Sequence, residues 1–149
     1  ILKDQLIKNP KLDCEILLSN ALKIEREKLL ISLNQEINEK DLNNFNNLID
    51  RRKRKEPIAY IIGYKEFWKK KFKVNTNVLI PRPDTEHLVE EALKLIPNNS
   101  SLNILDIGTG TGCIILSILC ERNKCYGVAL DISKKALKFV FKSIFLHLS

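Results

Sequence analysis

The stretch LNILDIGTGTGC, residues 102–113, decides the fold class of this chain. An apolar run that contains one acid, Asp106, is followed by glycine at every second position: Gly108, Gly110 and Gly112. Glycine lacks a Cβ, adopts positive φ readily and leaves backbone N–H groups open to a ligand. The pattern therefore predicts a short buried strand, a glycine loop that a ligand approaches closely, and a helix buried against a sheet.

The residues after this loop repeat the alternation of strand and helix. CYGVALD, residues 125–131, is typical of a second strand, and Ser133 is placed to cap a last helix. The expected apolar face of that helix consists of Leu137, Val140, Phe141 and Ile144. A strand–helix–strand–helix order predicts a parallel sheet. The class is therefore α/β, with the βαβα start of a Rossmann-like domain.

An acid stands at the end of the second strand. Asp131 follows Gly112 by nineteen residues. An acid at about this spacing can accept hydrogen bonds from both hydroxyls of a ribose. Loop and acid together predict a site for an adenosine-type nucleotide.

The first 63 residues have a helical character instead. Apolar residues recur with helical spacing from Pro10 to about Leu22 and from Glu25 to Leu30, and again along one further face. That face consists of Leu42, Phe45, Leu48 and Ile49. Pro57 is placed to begin a short last helix and Gly63 to end it. Residues 1–63 are therefore predicted to form a small helical bundle.

Between the bundle and the α/β part the sequence changes character again. Residues 64–82 carry two strand-favouring segments separated by lysines, and we interpret them as a hairpin linker. Residues 83–149 are the expected α/β part, and Asp84 or Thr85 is placed to cap its first helix. The predicted inner face of that helix is Leu88, Val89, Ala92, Leu93 and Ile96. Phe67 and Trp68 are expected to pack between the domains.

Composition narrows the class of protein. The chain has 149 residues with 44% apolar content, enough for a sizeable core, and it contains no run of about 20 apolar residues that would predict a membrane span. Four cysteines show no metal-finger spacing, so we predict no metal site and expect reduced thiols in a cytoplasmic protein. They are Cys14, Cys113, Cys120 and Cys125.

The formal net charge of +7 is concentrated in one part of the chain. Between Arg51 and Arg82, eleven Lys or Arg stand against two acids, so this part carries +9. Most of these cations lie in RRKRK, residues 51–55, and KKKFK, residues 69–73. Two interpretations stay open: solvated helix and hairpin surface, or one positive surface that attracts an acidic protein or nucleic acid.

The form of the glycine loop separates two nucleotide classes. The dinucleotide fingerprint GxGxxG requires a third small residue at position 113, where this chain has Cys113. The form D-x-G-x-G-x-G, which begins at Asp106, resembles the first motif of class I S-adenosylmethionine methyltransferases. A carboxylate beside the loop is favourable for that cofactor because the cofactor is cationic.

Four longer segments resemble the release-factor glutamine methyltransferase (HemK) family in order and spacing. They are DCEILLSNAL (13–22), RRKRKEPIAYIIGYKEFW (51–68), VLIPRPDTEHLVEEAL (78–93) and ILDIGTGTGCIILSI (104–118). The resemblance implies an amino-terminal helical bundle that recognises the substrate, a hairpin linker and a methyltransferase domain. It also implies transfer of a methyl group from S-adenosylmethionine to the GGQ glutamine of class I peptide-chain release factors.

The resemblance also assigns site residues. The implied cofactor-binding residues are Asp106, Gly108, Thr109, Gly110, Thr111, Gly112 and Asp131. Among these, Asp106 would lie near the methionine part of the cofactor and Asp131 would bind the ribose. His87 and His147 are expected on helix surfaces rather than in catalysis.

The catalytic motif of the family, Asn-Pro-Pro-Tyr, does not occur in these 149 residues, so no catalytic residue is assigned. We expect the chain to be a fragment or truncated copy that is inactive alone, binds the cofactor weakly or not at all, and leaves an apolar sheet face uncovered. Two alternatives stay open: a non-catalytic protein-binding remnant, and part of a dinucleotide-binding oxidoreductase.

Overall fold

The computed structural model describes residues 7–31, 34 and 36–144, with side chains up to residue 140. Its helices and strands are α1 (Pro10–Leu22), α2 (Arg26–Ile31), α3 (Glu39–Lys53), α4 (Ile58–Ile62), β1 (Tyr64–Phe67), β2 (Lys70–Lys73), α5 (Thr85–Leu95), β3 (Asn103–Ile107), α6 (Cys113–Glu121), β4 (Tyr126–Leu130) and α7 (Lys134–Ile144). The predicted α/β class is confirmed. The chain divides into a first unit, Ile1–Ile62, and a second unit, Gly63–Ser149.

The first unit is built from the four predicted helices. Helix α1 begins at Pro10, where the missing N–H costs no intrahelical hydrogen bond, and α4 begins at the residue after Pro57. The buried core consists of Leu17, Ala21, Leu48, Ile49 and Ile61. Leu42 is 44% exposed, whereas Phe45 packs against this core, so the predicted face of α3 contributes to the core from Phe45 onward.

Two arginines of the basic run 51–55 hold this unit together. The Nε of Arg52 donates to Asp13 Oδ2 over 2.7 Å, and its Nη1 donates to the Glu56 carbonyl oxygen over 2.9 Å. The Nε of Arg51 donates to Glu56 Oε2 over 2.8 Å, and its Nη1 reaches the carbonyl oxygen of Ile61. These side chains join α3 to α1 and α4, so part of the positive run is structural rather than free for a partner.

The hairpin of β1 and β2 supplies the core of the second unit. Phe67 and Phe72 are 2% and 0% exposed, and their ring centroids lie 6.0 Å apart at an interplanar angle of 78°. They pack in one cluster with Val89 of α5 and with α6 residues such as Ile115. The expectation that Phe67 and Trp68 pack between the domains is therefore wrong: Phe67 belongs to this cluster of the second unit, and Trp68 packs against it. The three-part division of the chain stays a prediction.

The turn of this hairpin has an unusual composition. Trp68 and Lys69 both have positive φ, 48° and 57°, the combination that a two-residue type I′ turn requires. Glutamates from two helices hold the turn: Glu86 accepts from the Trp68 backbone N–H over 2.8 Å, and Glu121 accepts from its indole N–H over 3.0 Å. These contacts compensate for a backbone conformation that normally favours glycine or asparagine.

Helix α5 differs from its prediction in two details. It begins at Thr85 as expected, but the Asp84 side chain makes no capping hydrogen bond. Val89 is fully buried, whereas Leu88 is 55% exposed. The inner face of α5 is therefore narrower than the sequence periodicity indicates.

Strands β3 and β4 form the predicted parallel pair, in which Asp106 lies opposite Ala129 and Ile107 opposite Leu130. Helix α6 packs on one face, where Gly127 leaves room for its side chains: an added Cβ would lie 2.7 Å from Leu119 Cδ1. The other face is exposed, as expected, and carries Leu105, Ile107, Val128 and Leu130.

Two further observations concern the chain as a whole. No helix in the described part of the chain has both the length and the apolarity needed to cross a bilayer. The four cysteines are free thiols, two of them buried.

Candidate functional site

The glycine loop lies at the carboxyl ends of the two parallel strands. The N–H groups of Gly108 and Thr109 both donate to the carbonyl oxygen of Leu130, over 2.8 and 3.0 Å. The Gly112 N–H donates to the Thr109 carbonyl oxygen over 2.7 Å. The loop is thus folded tightly against the end of β4 before α6 begins. In α/β sheets this edge is where ligands bind.

The three glycines serve different purposes. Gly108, Gly110 and Gly112 have φ of +80°, +55° and +75°, so all three use the left-handed region. A Cβ at Gly108 would meet no atom of the described residues within 4 Å, whereas one at Gly112 would lie 2.9 Å from Val140 Cγ1. Gly112 is therefore required by the packing of α7, while the surface above Gly108 is open to a ligand.

This difference predicts the outcome of two substitutions. Gly108→Ala is expected to cost about 1–2 kcal/mol of unfolding free energy, from the left-handed backbone alone. Gly112→Ala carries the same strain and also displaces Val140, so we expect a further loss of about 1–3 kcal/mol. Urea unfolding of both variants measures the difference. Equal losses would contradict the assignment of Gly112 to core packing.

The acid at the end of β3 is held by a side chain of the loop. Thr109 Oγ1 donates to Asp106 Oδ2 over 2.8 Å. Thr109 and Thr111 are 6% and 2% exposed, so both side chains are directed into the protein. Burial raises the pKa of the Cys113 thiol above its ordinary value, and the neighbouring Thr111 side chain acts in the opposite direction. The two buried threonine side chains therefore stabilise the loop from its protein-facing side.

The acid after β4 contacts the loop directly. Asp131 Oδ2 accepts from the Gly110 N–H over 2.9 Å, and Oδ1 accepts from the Ser133 N–H over 2.8 Å. The hydrogen bonds from Ser133 and then Gly110 lower the pKa of Asp131 below its ordinary value. The structure thus brings Asp106 and Asp131 to one loop, the first through Thr109 and the second through Gly110.

Sequence reasoning did not predict the hydrogen bonds that hold the two acids. Ser133 was expected only as a cap, and its Oγ does accept from the Ala136 N–H over 3.2 Å. Its own N–H donates to Asp131, an Asx-type contact that the spacing D-x-S could have indicated. The bond from the Thr109 hydroxyl to Asp106 had no equivalent signal.

The histidines lie apart from this arrangement or outside the described residues. The side chain of His87 is 80% exposed, and its Nδ1 lies 3.1 Å from Glu90 Oε2 on the same helix. This agrees with the expected helix surface. His147 lies outside the described residues.

Known proteins similar to this chain match both its helical first 63 residues and its α/β part. The PrmC N-terminal domain matches residues 1–63. The release factor glutamine methyltransferase of Caulobacter vibrioides is 39% identical over 136 residues, which cover 91% of this chain and 47% of that protein. That of Coxiella burnetii is 44% identical over 131 residues, 88% of this chain and 47% of that protein. The bifunctional methyltransferase of Rickettsia prowazekii is 42% identical over 147 residues, 87% of this chain and 28% of that protein.

A parallel βαβα unit with a D-x-G-x-G-x-G loop defines the first part of a Rossmann-like methyltransferase domain. Within that class, the similarity of the chain to curated release factor glutamine methyltransferases, together with the PrmC N-terminal domain over residues 1–63, supports the HemK family. It spans about half the length of the curated release factor glutamine methyltransferases it matches.

Proposed function

We propose that the protein to which this chain belongs transfers a methyl group from S-adenosylmethionine to the side-chain amide nitrogen of the GGQ glutamine of class I peptide-chain release factors. The observation that carries this proposal is the glycine loop held between two carboxylates, in a chain similar to release factor glutamine methyltransferases. A protein that acts on release factors works in the cytoplasm, which is the location we propose.

The residues of the glycine loop support S-adenosylmethionine as the cofactor. S-adenosylmethionine supplies the methyl group on a sulfonium cation. Asp106 would lie near its cationic methionine part, where a carboxylate is electrostatically favourable. Asp131 would accept hydrogen bonds from the ribose hydroxyls, and the open backbone at Gly108 leaves space for the ligand. The buried side chains of Thr109 and Thr111 would act by shaping the loop rather than by contact.

Methyl transfer also requires that the substrate amide be held and oriented towards the methyl group. An amide is a weak nucleophile, so its orientation and the stabilisation of developing charge must supply the catalysis. In the family this is the role of the Asn-Pro-Pro-Tyr motif. The motif does not occur in these residues, so the cofactor loop is the part of the site that we assign here.

A chimera tests the proposal. The chain is joined to the segment that follows the matched region in the Coxiella burnetii relative, which is 44% identical over 131 residues. Mass spectrometry of the GGQ peptide then measures methyl incorporation into a purified release factor. We expect methylation by the chimera and none above background by the 149-residue chain, because only the chimera contains both the loop and the amide-binding motif.

The controls separate folding from chemistry. Asp131→Ala in the chimera should raise the dissociation constant for S-adenosylmethionine by about ten- to hundred-fold, the effect of losing hydrogen bonds to a charged group. The Coxiella segment alone should be inactive. A chimera that folds by circular dichroism and binds the release factor, but transfers no methyl group, would contradict the proposed function.

A further inference from the structure

The carboxylate of Asp131 is fixed from two sides by backbone groups of different segments. Gly110 belongs to the loop before α6, and Ser133 precedes α7. Each donates its N–H to a different oxygen: Gly110 to Oδ2 over 2.9 Å and Ser133 to Oδ1 over 2.8 Å. One bond on each oxygen defines the plane of the carboxylate, since rotation about its last torsion would break both.

This arrangement leaves a specific acceptor pattern. A carboxylate has about four acceptor positions, two on each oxygen. Among the described residues, the backbone bonds occupy one position on each oxygen, so one position on each oxygen stays available. Two hydroxyl donors on neighbouring carbons match this pattern, because each can donate to a different oxygen. A single hydroxyl would occupy only one of these two acceptor positions.

We propose that the N–H groups of Gly110 and Ser133 are positioning groups that preset Asp131 as a two-point acceptor for a vicinal diol. This inference rests on the proposed function, in which the diol belongs to the ribose of the cofactor. The carboxylate is oriented before the ligand arrives, so the ligand does not have to restrict its rotation. Because Gly110 is part of the glycine loop, its hydrogen bond also makes the orientation of Asp131 depend on the conformation of that loop.

Titration of Asp131 in the ligand-free chain tests the positioning directly. Carbon-13 NMR follows the carboxyl group, and the amide signals of Gly110 and Ser133 follow its two donors. We expect the carboxyl to titrate below the ordinary aspartate range and both amide signals to move with the same midpoint. An amide signal of Gly110 or Ser133 that does not follow the carboxyl would overturn the proposal, and this measurement needs no variant.

Two substitutions at one position isolate the N–H group. Ser133→Ala and Ser133→Pro both remove the hydroxyl that accepts from Ala136, but only proline removes the backbone donor. Asp131 should keep its low midpoint in Ser133→Ala and move towards the ordinary aspartate value in Ser133→Pro. The same midpoint in both folded variants would overturn the role of this donor.

The diol is tested with adenosine and 2′-deoxyadenosine as probes on the chimera described above, because the 149-residue chain alone is expected to bind the cofactor weakly or not at all. We expect adenosine to shift the Gly110 and Ser133 signals and 2′-deoxyadenosine to bind at least about tenfold more weakly, because one hydroxyl donor to a charged acceptor is lost. Equal binding, or no shift with adenosine, would overturn the diol assignment. Failure of the proposed function appears separately, as an inactive chimera whose Asp131 still titrates as described.

Discussion

Phe72→Ala is expected to lower the unfolding free energy of the second unit by about 3–5 kcal/mol, a large part of the stability of a small domain. Phe72 is completely buried against Phe67 and packs in the cluster formed by α5 and α6. Alanine would lose the transfer free energy of the ring and leave a cavity that this close packing cannot fill. Hydrogen exchange of the α6 amides measures the loss.

A neighbouring residue on the same strand provides the control. Lys73 is exposed on the opposite face of the hairpin, so Lys73→Ala should change the same protection by less than about 0.5 kcal/mol. If Phe72→Ala left α6 protection unchanged, the hairpin would be a peripheral linker rather than part of this core. The contrast between the two variants therefore decides which element stabilises the second unit.

Arg52→Ala is expected to lower the unfolding free energy of the first unit by about 2–3 kcal/mol. Asp13 is only 8% exposed, and Arg52 is the cation that pairs with it over 2.7 Å. Alanine would leave the carboxylate in a desolvated position without that partner, and would also remove the bond to the Glu56 carbonyl oxygen. Hydrogen exchange of α1 and α3 amides reports this loss.

The adjacent lysine distinguishes a structural cation from a surface one. Lys53 pairs with Asp50 at an exposed site, and Lys53→Ala should cost less than about 0.5 kcal/mol. The double variant Arg52→Gln, Asp13→Asn should lose less than the sum of its single changes, because the two side chains interact directly. Equal effects of Arg52→Ala and Lys53→Ala would show that the run 51–55 is uniformly solvated.

Much of the fold could be predicted because it depends on local rules. Pro10 and Pro57 set helix starts, Ser133 caps α7, and the apolar run with its glycines forms the predicted strand, loop and helix. Each signal acts over a few residues, through backbone torsions or the period of apolar side chains. The α/β class, the parallel pair and the position of the loop follow from such signals.

The chemistry of the loop was only partly accessible in this way. The motif indicates which residues surround a ligand, and the two acids are found at the same strand edge. It does not indicate that Thr109 would turn inward to Asp106, or that Gly110 would donate to Asp131. Both contacts depend on the direction in which the folded loop presents each group.

The sequence by itself determined the order of the elements, the ends of most of them and the form of the glycine loop, because these depend on neighbours in the chain. The tertiary structure decided which residues meet across long separations. Arg52 reaches Asp13 from 39 positions away, and Asp131 reaches Gly110 from 21. It also assigned Phe67 to the core of the second unit. Such contacts depend on how helices and strands pack, and helical or strand periodicity specifies a face but not its partner.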